Sequence, residues 1–180
     1  MKQLETKRLI LRQLNISDLK DFFSYAKKKT IGPRAGWPNH KNINESRFIL
    51  NQMIKDNDVW GIVYKENNKL IGTIGLHVRN ATNQMLNQKE IGYALDDNYW
   101  NQGLVTEACL EVIKYAFISE NLNKVLCGHA EENLASKRVI EKCGFTFTHL
   151  ERRPNYKQLM IDVYMYELTK ITYMDKILGS

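Results

Sequence analysis

Proline and cysteine are scarce in this sequence. Only 3 prolines and 10 glycines occur among 180 residues, and they form no low-complexity tract or repeat that would mark a linker between domains. The 3 cysteines, Cys109, Cys127 and Cys143, lack the spacing of metal ligands, which indicates reduced, buried thiols and no metal site. We therefore expect one domain spanning residues 1–180, and a hydrophobic content of 43% provides an adequate core for it.

Long apolar runs are also missing. Charged residues interrupt the N-terminus at Lys2, Glu5, Lys7 and Arg8, unlike a signal peptide, and no segment approaches the roughly 18 apolar residues of a membrane span. These absences predict a cytoplasmic protein without a membrane partner.

Acidic residues are the minority among the charged ones. The 20 Asp and Glu against 26 Lys and Arg give a net charge of +6, which favours phosphates or nucleic acid as ligands. The basic residues are dispersed, however, and no aromatic-basic alternation typical of an RNA-binding strand occurs. We do not expect nucleic acid as the main ligand, and we interpret the run Lys27, Lys28 and Lys29 as a solvated helix end.

Neither familiar nucleotide motif, the P-loop or the dinucleotide fingerprint, is present. Instead, a strand from Glu90 to Leu95 is followed by a turn containing Gly103 and by a helix with a regular apolar face. That face is formed by residues three and four apart: Val105, Ala108, Cys109, Val112, Ile113, Ala116 and Phe117. Because the first turn of a helix leaves backbone N–H groups unpaired at the positive end of its dipole, the turn predicts an anion site, usually for phosphate.

Three segments resemble the GNAT superfamily of acyl-CoA-dependent N-acetyltransferases. The turn is similar to its pyrophosphate-binding motif Arg/Gln-x-x-Gly-x-Gly/Ala, with Trp100 and Val105 as departures. Two further segments are similar to the ribosomal-protein-alanine acetyltransferase branch, the RimJ and RimL type. One is Glu5-Thr6-Lys7-Arg8-Leu9, and the other is Asn133-Leu134-Ala135-Ser136 followed by Glu141-Lys142-Cys143-Gly144-Phe145. The resemblance spans about residues 5 to 168 and implies acetyl-CoA as acetyl donor.

The resemblance also implies which residues bind the donor. Strand backbone groups would bind the pantetheine arm, the glycine turn would bind the pyrophosphate, and Asn133 and Ser136 would reach the pantetheine and the sulfur. These residues are Tyr93, Leu95, Gln102, Gly103, Leu104, Val105, Thr106, Asn133 and Ser136. Many members carry a tyrosine as general acid where this chain has Ile140, and in this branch Ser136 is the substitute. Helix capping by Asn133 and Thr106, and a small residue at the edge of an apolar stripe for Ser136, are the structural alternatives.

Two residues are candidates for the general base, Glu90 first and His77 second. Each has a structural alternative, a solvated carboxylate at a strand end or a histidine satisfied on a sheet surface. An α-amine of pKa about 7.7 to 8.0 is roughly one-third neutral at pH 7.5, whereas a lysine of pKa about 10.4 is neutral only about one time in a thousand. An N-terminal amine therefore needs only a weak base acting through water. No Gly-x-Ser-x-Gly elbow supports an acyl-enzyme, and we expect direct transfer in a ternary complex.

The periodicities predict the element order β-α-α-β-β-β-α-β-α-β-β. This order gives an α/β (α+β) fold, a mixed sheet of about seven strands with helices on both faces, and it matches the GNAT fold that the resemblance implies. A loop from Thr30 to Lys41 separates the first two helices, and Asn42 with Glu45 is expected to cap the second one.

The leading hypothesis is an N-acetyltransferase acting on a primary amine, most simply a protein or peptide N-terminus. We expect Trp37, His40 and Tyr156, on two loops, to line the acceptor site, although packing of each aromatic ring under its own loop is the alternative. A small amine acceptor such as a polyamine, an amino acid or an antibiotic stays open, as does a non-catalytic acyl-CoA-binding module. The sequence allows a monomer or a homodimer.

Overall fold

The structure, a computed structural model, describes residues 1–178 and is built around one eight-stranded sheet. The strand order is β1-β2-β3-β4-β5-β6-β8-β7. The strands are β1 Leu4–Glu5, β2 Leu9–Gln13, β3 Val59–Tyr64, β4 Lys69–His77, β5 Gln88–Leu95, β6 Lys124–Ala130, β7 Thr146–Pro154 and β8 Met160–Thr169. The mixed sheet is confirmed, and the two-residue strand β1 raises the expected number of about seven to eight.

Seven helices accompany the sheet within residues 1–178. They are α1 Leu19–Ala26, α2 Gly32–Ala35, α3 Ile43–Asp56, α4 Ala81–Met85, α5 Leu104–Ile118, α6 Leu134–Lys142 and α7 Lys170–Leu178. The four longer predicted helices are present, whereas α2, α4 and α7 are additions to the predicted order. None of the helices between residues 1 and 178 has the length and apolar character that a bilayer crossing needs.

The strand pairing changes in the middle of the sheet. Neighbouring strands are antiparallel everywhere except between β5 and β6. That parallel ladder ends at the pair Glu90 and Leu126, although β5 continues to Leu95 and β6 to Ala130. The two strands therefore pair only at their beginnings. Residues 91–95 of β5 and 127–130 of β6 are not paired with each other, and we call the gap between them the opening.

Two apolar clusters lie on the two faces of the sheet. Helix α5 packs on one face through Ala108, Val112 and Ala116, which are all fully buried, and α6 adds Ile140 to the same cluster. Helices α1 and α3 cover the other face through Phe22, Tyr25 and Leu50, among others. All three cysteines are buried and unbridged, as predicted. Both faces being covered by helices confirms the predicted layer arrangement.

The start of α3 follows the predicted capping pattern with one change. The Asn42 side chain accepts hydrogen bonds from the backbone N–H groups of Asn44 and Glu45. For the second hydrogen bond of a capping box, the Glu45 carboxylate accepts from the Lys41 N–H and not from the Asn42 N–H. The predicted cap by Asn42 is therefore present.

The interpretation of residues 27–29 as a solvated helix end is wrong for Lys28. Its ammonium group lies 2.5 Å from an Asp96 carboxylate oxygen and 2.6 Å from an Asp97 oxygen. Thr30 donates a further hydrogen bond to Asp97. These contacts attach the segment after α1 to the turn that follows β5, which lies at the centre of the sheet.

Candidate functional site

The turn before α5 has the geometry of an anion site. Gly103 adopts φ +74°, a left-handed conformation that favours glycine, and α5 begins at the next residue. Within residues 1–178, no hydrogen-bond acceptor is found for the backbone N–H groups of residues 102–106, and α5 has no side-chain cap. Val105 is half-buried and packs against the α5 cluster. Unpaired donors therefore surround the turn at the positive end of a 15-residue helix.

Two N-terminal residues reach the same turn. The Arg8 guanidinium donates to the Gln102 carbonyl at 2.9 Å and to the Glu107 carboxylate at 2.7 Å. The Thr6 hydroxyl donates to the other Glu107 oxygen at 2.6 Å. In the sequence this N-terminal segment shows only a family resemblance, because contacts between residues 99 and 101 positions apart leave no local pattern.

The β5 side of the opening ends at Leu95, a few residues before this turn in the sequence. Beyond Glu90, the edge of β5 that faces β6 has no strand partner among residues 1–178, and Tyr93 and Leu95 belong to this part of the strand. The Leu95 carbonyl accepts a hydrogen bond of 2.9 Å from the Trp100 indole N–H. Trp100 thus fixes the end of β5 against the turn that follows it.

Helix α6 contributes two polar groups beside the opening. The Asn133 side chain caps the helix by accepting from the Ser136 N–H, as predicted for its local role. The Ser136 hydroxyl lies 2.8 Å from the Tyr93 hydroxyl, a contact that the sequence analysis did not expect. Ile140 is 1% exposed and belongs to the core, so it presents no group for chemistry. Burial raises the pKa of Tyr93 well above its usual range, so the phenol is protonated at neutral pH.

The first base candidate is held by two arginines. Both oxygens of the Glu90 carboxylate lie 3.0 Å from one guanidinium nitrogen of Arg153, and the Arg79 guanidinium lies 3.5 Å from one of them. Arg153 also donates to Glu151. Burial lowers the pKa of Arg153, but its hydrogen bonds to Glu151 and Glu90 and the charges of both carboxylates outweigh burial and raise it. Glu90 is only 5% exposed, unlike the solvated strand-end carboxylate of the structural alternative.

The second base candidate lies across the ladder from the first. His77 of β4 pairs in register with Glu90 of β5, and its ring nitrogen Nδ1 lies 2.5 Å from an Asp58 oxygen. A Cβ on Gly75 would lie 2.3 Å from the His77 Nε2 atom, so the ring occupies the space above that glycine. The geometry brings Glu90 and His77 to adjacent strands at the vertex of the opening.

A family comparison identifies this architecture. A family model described as "Acetyltransferase (GNAT) domain" matches residues 8–146. The chain belongs to the GNAT acetyltransferase family. The resemblance inferred from the sequence is therefore confirmed, and the protein is an N-acetyltransferase that uses acetyl-CoA.

Whole-chain relatives agree with this assignment. The chain is 31% identical to the uncharacterized N-acetyltransferase p20 of Bacillus licheniformis, over 96% of this chain and 99% of that protein. In fold it is similar to the ribosomal-protein-S5-alanine acetyltransferase from Vibrio fischeri, with a TM-score of 0.76 and 19% identity over 94% of this chain and 97% of the other. It is also similar to the microcin C7 self-immunity acetyltransferase MccE in complex with acetyl-CoA and AMP, with a TM-score of 0.78 and 19% identity over 91% and 93%.

The expected acceptor loop of this acetyltransferase contains the short helix α2. Trp37 covers Gly32, since a Cβ there would lie 2.6 Å from the indole ring. His40 is 4% exposed, bonds to the Ser46 hydroxyl at 2.6 Å, and burial lowers its pKa. His40 is thus a packing residue beneath the loop, and its ring is closed to an acceptor in this arrangement.

The same loop also contacts the start of α6 and the turn after β5. The Asn133 amide donates to the Arg34 carbonyl at 3.1 Å, and the Arg34 guanidinium lies 5.4 Å from the Trp100 ring. These contacts link α2 to residues on both sides of the opening. Tyr156 is half-buried in the turn between β7 and β8, with the Lys157 ammonium 5.7 Å from its ring.

Proposed function

We propose that this acetyltransferase moves the acetyl group of acetyl-CoA directly to the α-amine of a protein or peptide N-terminus. The observation that carries the proposal is the end of the β5–β6 ladder at Glu90, next to a helix start whose N–H groups have no acceptor within residues 1–178. The ribosomal-protein-S5-alanine acetyltransferase among the structural neighbours supports a protein as acceptor.

The donor binds along this opening. The N–H groups of residues 102–106 bind the pyrophosphate because they are unpaired and lie at the positive end of α5. The free edge of β5 at Tyr93 and Leu95 offers backbone groups to the pantetheine arm, as a neighbouring strand would. Asn133 is free to bind the arm when its 3.1 Å hydrogen bond to the Arg34 carbonyl opens.

In this proposal Ser136 donates a proton to the leaving thiolate. Ser136 is 8% exposed and its hydroxyl contacts only one other side-chain hydroxyl among the described residues, that of Tyr93. The amine attacks the thioester carbonyl and the C–S bond breaks. Ser136 passes its proton to the sulfur and regains one from solvent, while the Tyr93 hydroxyl holds the Ser136 hydroxyl in position. No acyl-enzyme forms, so each turnover consumes one amine and releases one thiol.

Glu90 deprotonates the acceptor amine through a water molecule in this proposal. Glu90 is the last β5 residue paired with β6, so it lies at the start of the opening in which the proposal places the donor. Arg153 fixes the orientation of the carboxylate and leaves lone pairs on each oxygen for a water or an ammonium group. Since an α-amine of pKa about 7.7 to 8.0 is already partly neutral at pH 7.5, this weak assistance is sufficient.

The proposal is tested by an acceptor panel. Purified protein is incubated with acetyl-CoA and peptides that differ at their first residue, alongside polyamines, amino acids and aminoglycosides, and thiol release is followed with mass confirmation of product. Turnover with the peptides, lost in Ser136→Ala and retained in the exposed control Ser119→Ala, supports the proposal. If only the small amines are acetylated, the acceptor is a small molecule and the proposed peptide acceptor is wrong. If acetyl-CoA binds but no acceptor releases thiol, the protein is a non-catalytic acyl-CoA-binding module.

A further inference from the structure

We infer that Arg8 is a donor-positioning residue, which orients the turn before α5 and neutralises Glu107 so that the helix start can accept a pyrophosphate. The inference rests on the proposed placement of the donor at residues 102–106. It assigns a function to an N-terminal segment that lies far from this turn in the sequence.

Arg8 makes three contacts at one end of α5. Its side chain donates to Gln102 O at 2.9 Å and to Glu107 Oε2 at 2.7 Å, and its backbone N–H donates to Glu107 Oε1 at 2.9 Å. The side chains of Arg8 and Glu107 are 38% and 20% exposed, so the pair lies at the surface of the turn without being fully solvated. A guanidinium that binds two acceptors at once has a fixed orientation.

The contact with Gln102 fixes the direction of a donor. In a planar trans peptide the carbonyl and the N–H point to opposite sides, so a Gln102 carbonyl turned towards Arg8 directs the Gly103 N–H away from it. The other guanidinium nitrogen of Arg8 also lies close to this turn, 3.7 Å from the position that a Cβ on Gly103 would take. Arg8 thereby presents the N–H of the turn to an anion without occupying the position itself.

The contact with Glu107 removes a competing negative charge. A carboxylate in the first turn of α5 is attracted to the same helix end as a phosphate and repels that phosphate. Burial raises the pKa of Glu107, but hydrogen bonds from Thr6 and Arg8 and the charge of Arg8 outweigh burial and lower it. Glu107 is therefore ionised at neutral pH, and Thr6 and Arg8 each donate a hydrogen bond to one of its two oxygens.

The test compares two donors that differ in the nucleotide. Acetyl-CoA carries the pyrophosphate, whereas acetyl-pantetheine lacks it, and Michaelis constants are measured for both with the same acceptor. Arg8→Gln is expected to raise the KM for acetyl-CoA about tenfold, the loss of roughly one charged hydrogen bond, with kcat within about twofold. Its KM for acetyl-pantetheine stays at the wild-type value.

Three further variants separate positioning from folding. Lys7→Gln makes the same charge change at the neighbouring exposed residue and is expected to alter neither KM. Arg8→Lys keeps the charge without the two-pronged geometry and gives an intermediate KM for acetyl-CoA. Adding Glu107→Gln to Arg8→Gln recovers part of the lost affinity, because the unneutralised carboxylate is gone.

Each contrary result is distinct. If Arg8→Gln impairs both donors equally, or if Lys7→Gln has the same effect, Arg8 does not position the pyrophosphate turn, and the inference fails while the proposed donor site stands. If the wild type itself has the same KM for both donors, the proposed pyrophosphate site fails and the inference with it. Where Arg8→Gln does not fold, the Arg8→Lys comparison decides by the same criteria.

Discussion

The Tyr93 hydroxyl lies 2.8 Å from the Ser136 hydroxyl, and this contact connects β5 to the helix that follows β6. The two strands share no ladder pair at this level of the sheet, so the side-chain contact spans the opening. A phenol thus stands beside Ser136 even though the α6 position that many GNAT members fill with tyrosine is Ile140 in this chain.

Tyr93→Phe is expected to lower kcat about tenfold and to leave the KM for acetyl-CoA within about twofold, because one hydrogen bond that orients Ser136 is lost. Ser136→Ala is expected to lower kcat about a hundredfold, as for removal of a general acid. Steady-state kinetics measure both. Tyr64→Phe, which removes an exposed hydroxyl bonded to Glu66, is the control and keeps full activity. An unchanged kcat in Tyr93→Phe would contradict the role of the pair.

Gly103→Ala is expected to cost about 1 kcal/mol of stability, because φ +74° is strained for any residue with a Cβ. The strained turn also turns its N–H groups away from the anion, so the KM for acetyl-CoA rises. Gly36 has φ +91° with open space around its Cβ position, and Gly36→Ala is the matched control. Thermal unfolding should shift similarly in both variants, and the KM for acetyl-CoA should change in Gly103→Ala alone; equal KM values would remove the turn from the donor site.

Glu90→Gln is expected to lower kcat/KM for the peptide acceptor most at low pH and least above about pH 8.5, where an α-amine of pKa about 7.7 to 8.0 is neutral without help. A pH profile of both enzymes from 6 to 9 measures the ratio. Arg153→Gln removes the ion pair but keeps the Glu90 carboxylate, so it is the control for loss of the ion pair. A ratio that is constant across the profile would show that Glu90 only holds Arg153.

Asp97 makes acid stability dependent on the Lys28 contact. Hydrogen bonds from Lys28 and then Thr30 lower the pKa of Asp97 from 3.8 to about 2. Because the folded-state pKa is the lower one, its stabilisation is complete above about pH 4 and is lost as the pH falls towards 2. Urea unfolding should show Asp97→Asn less stable than wild type by under about 1 kcal/mol at pH 6, with a smaller difference at pH 2.5. A difference that does not change with pH would rule out the contact as its cause.

The sequence predicted the features that depend on neighbours along the chain. The apolar spacing located α5, and Asn42 located the start of α3, because each signal lies within a few residues. The short helix α2 and the two-residue strand β1 were missed, since elements of that length carry too little periodicity. They depend on packing that only the folded chain provides.

The candidate site divides in the same way. The turn at Gly103 and the cap by Asn133 follow from local residue types, and the structure places both at helix starts. The partners of Glu90 and Glu107 could not be predicted, because Arg153 is 63 residues from the first and Arg8 is 99 residues from the second. Charge pairs at such separations depend on strand order, which the sequence pattern left undetermined.

The most direct measurement uses one peptide with a free N-terminus and an internal lysine, incubated with acetyl-CoA and enzyme and mapped by fragment mass spectrometry. The account predicts acetylation of the N-terminal α-amine, with one thiol released per acetyl group and an unmodified enzyme. Acetyl on the lysine side chain, an acetylated enzyme intermediate, or thiol release only when a polyamine replaces the peptide would contradict it.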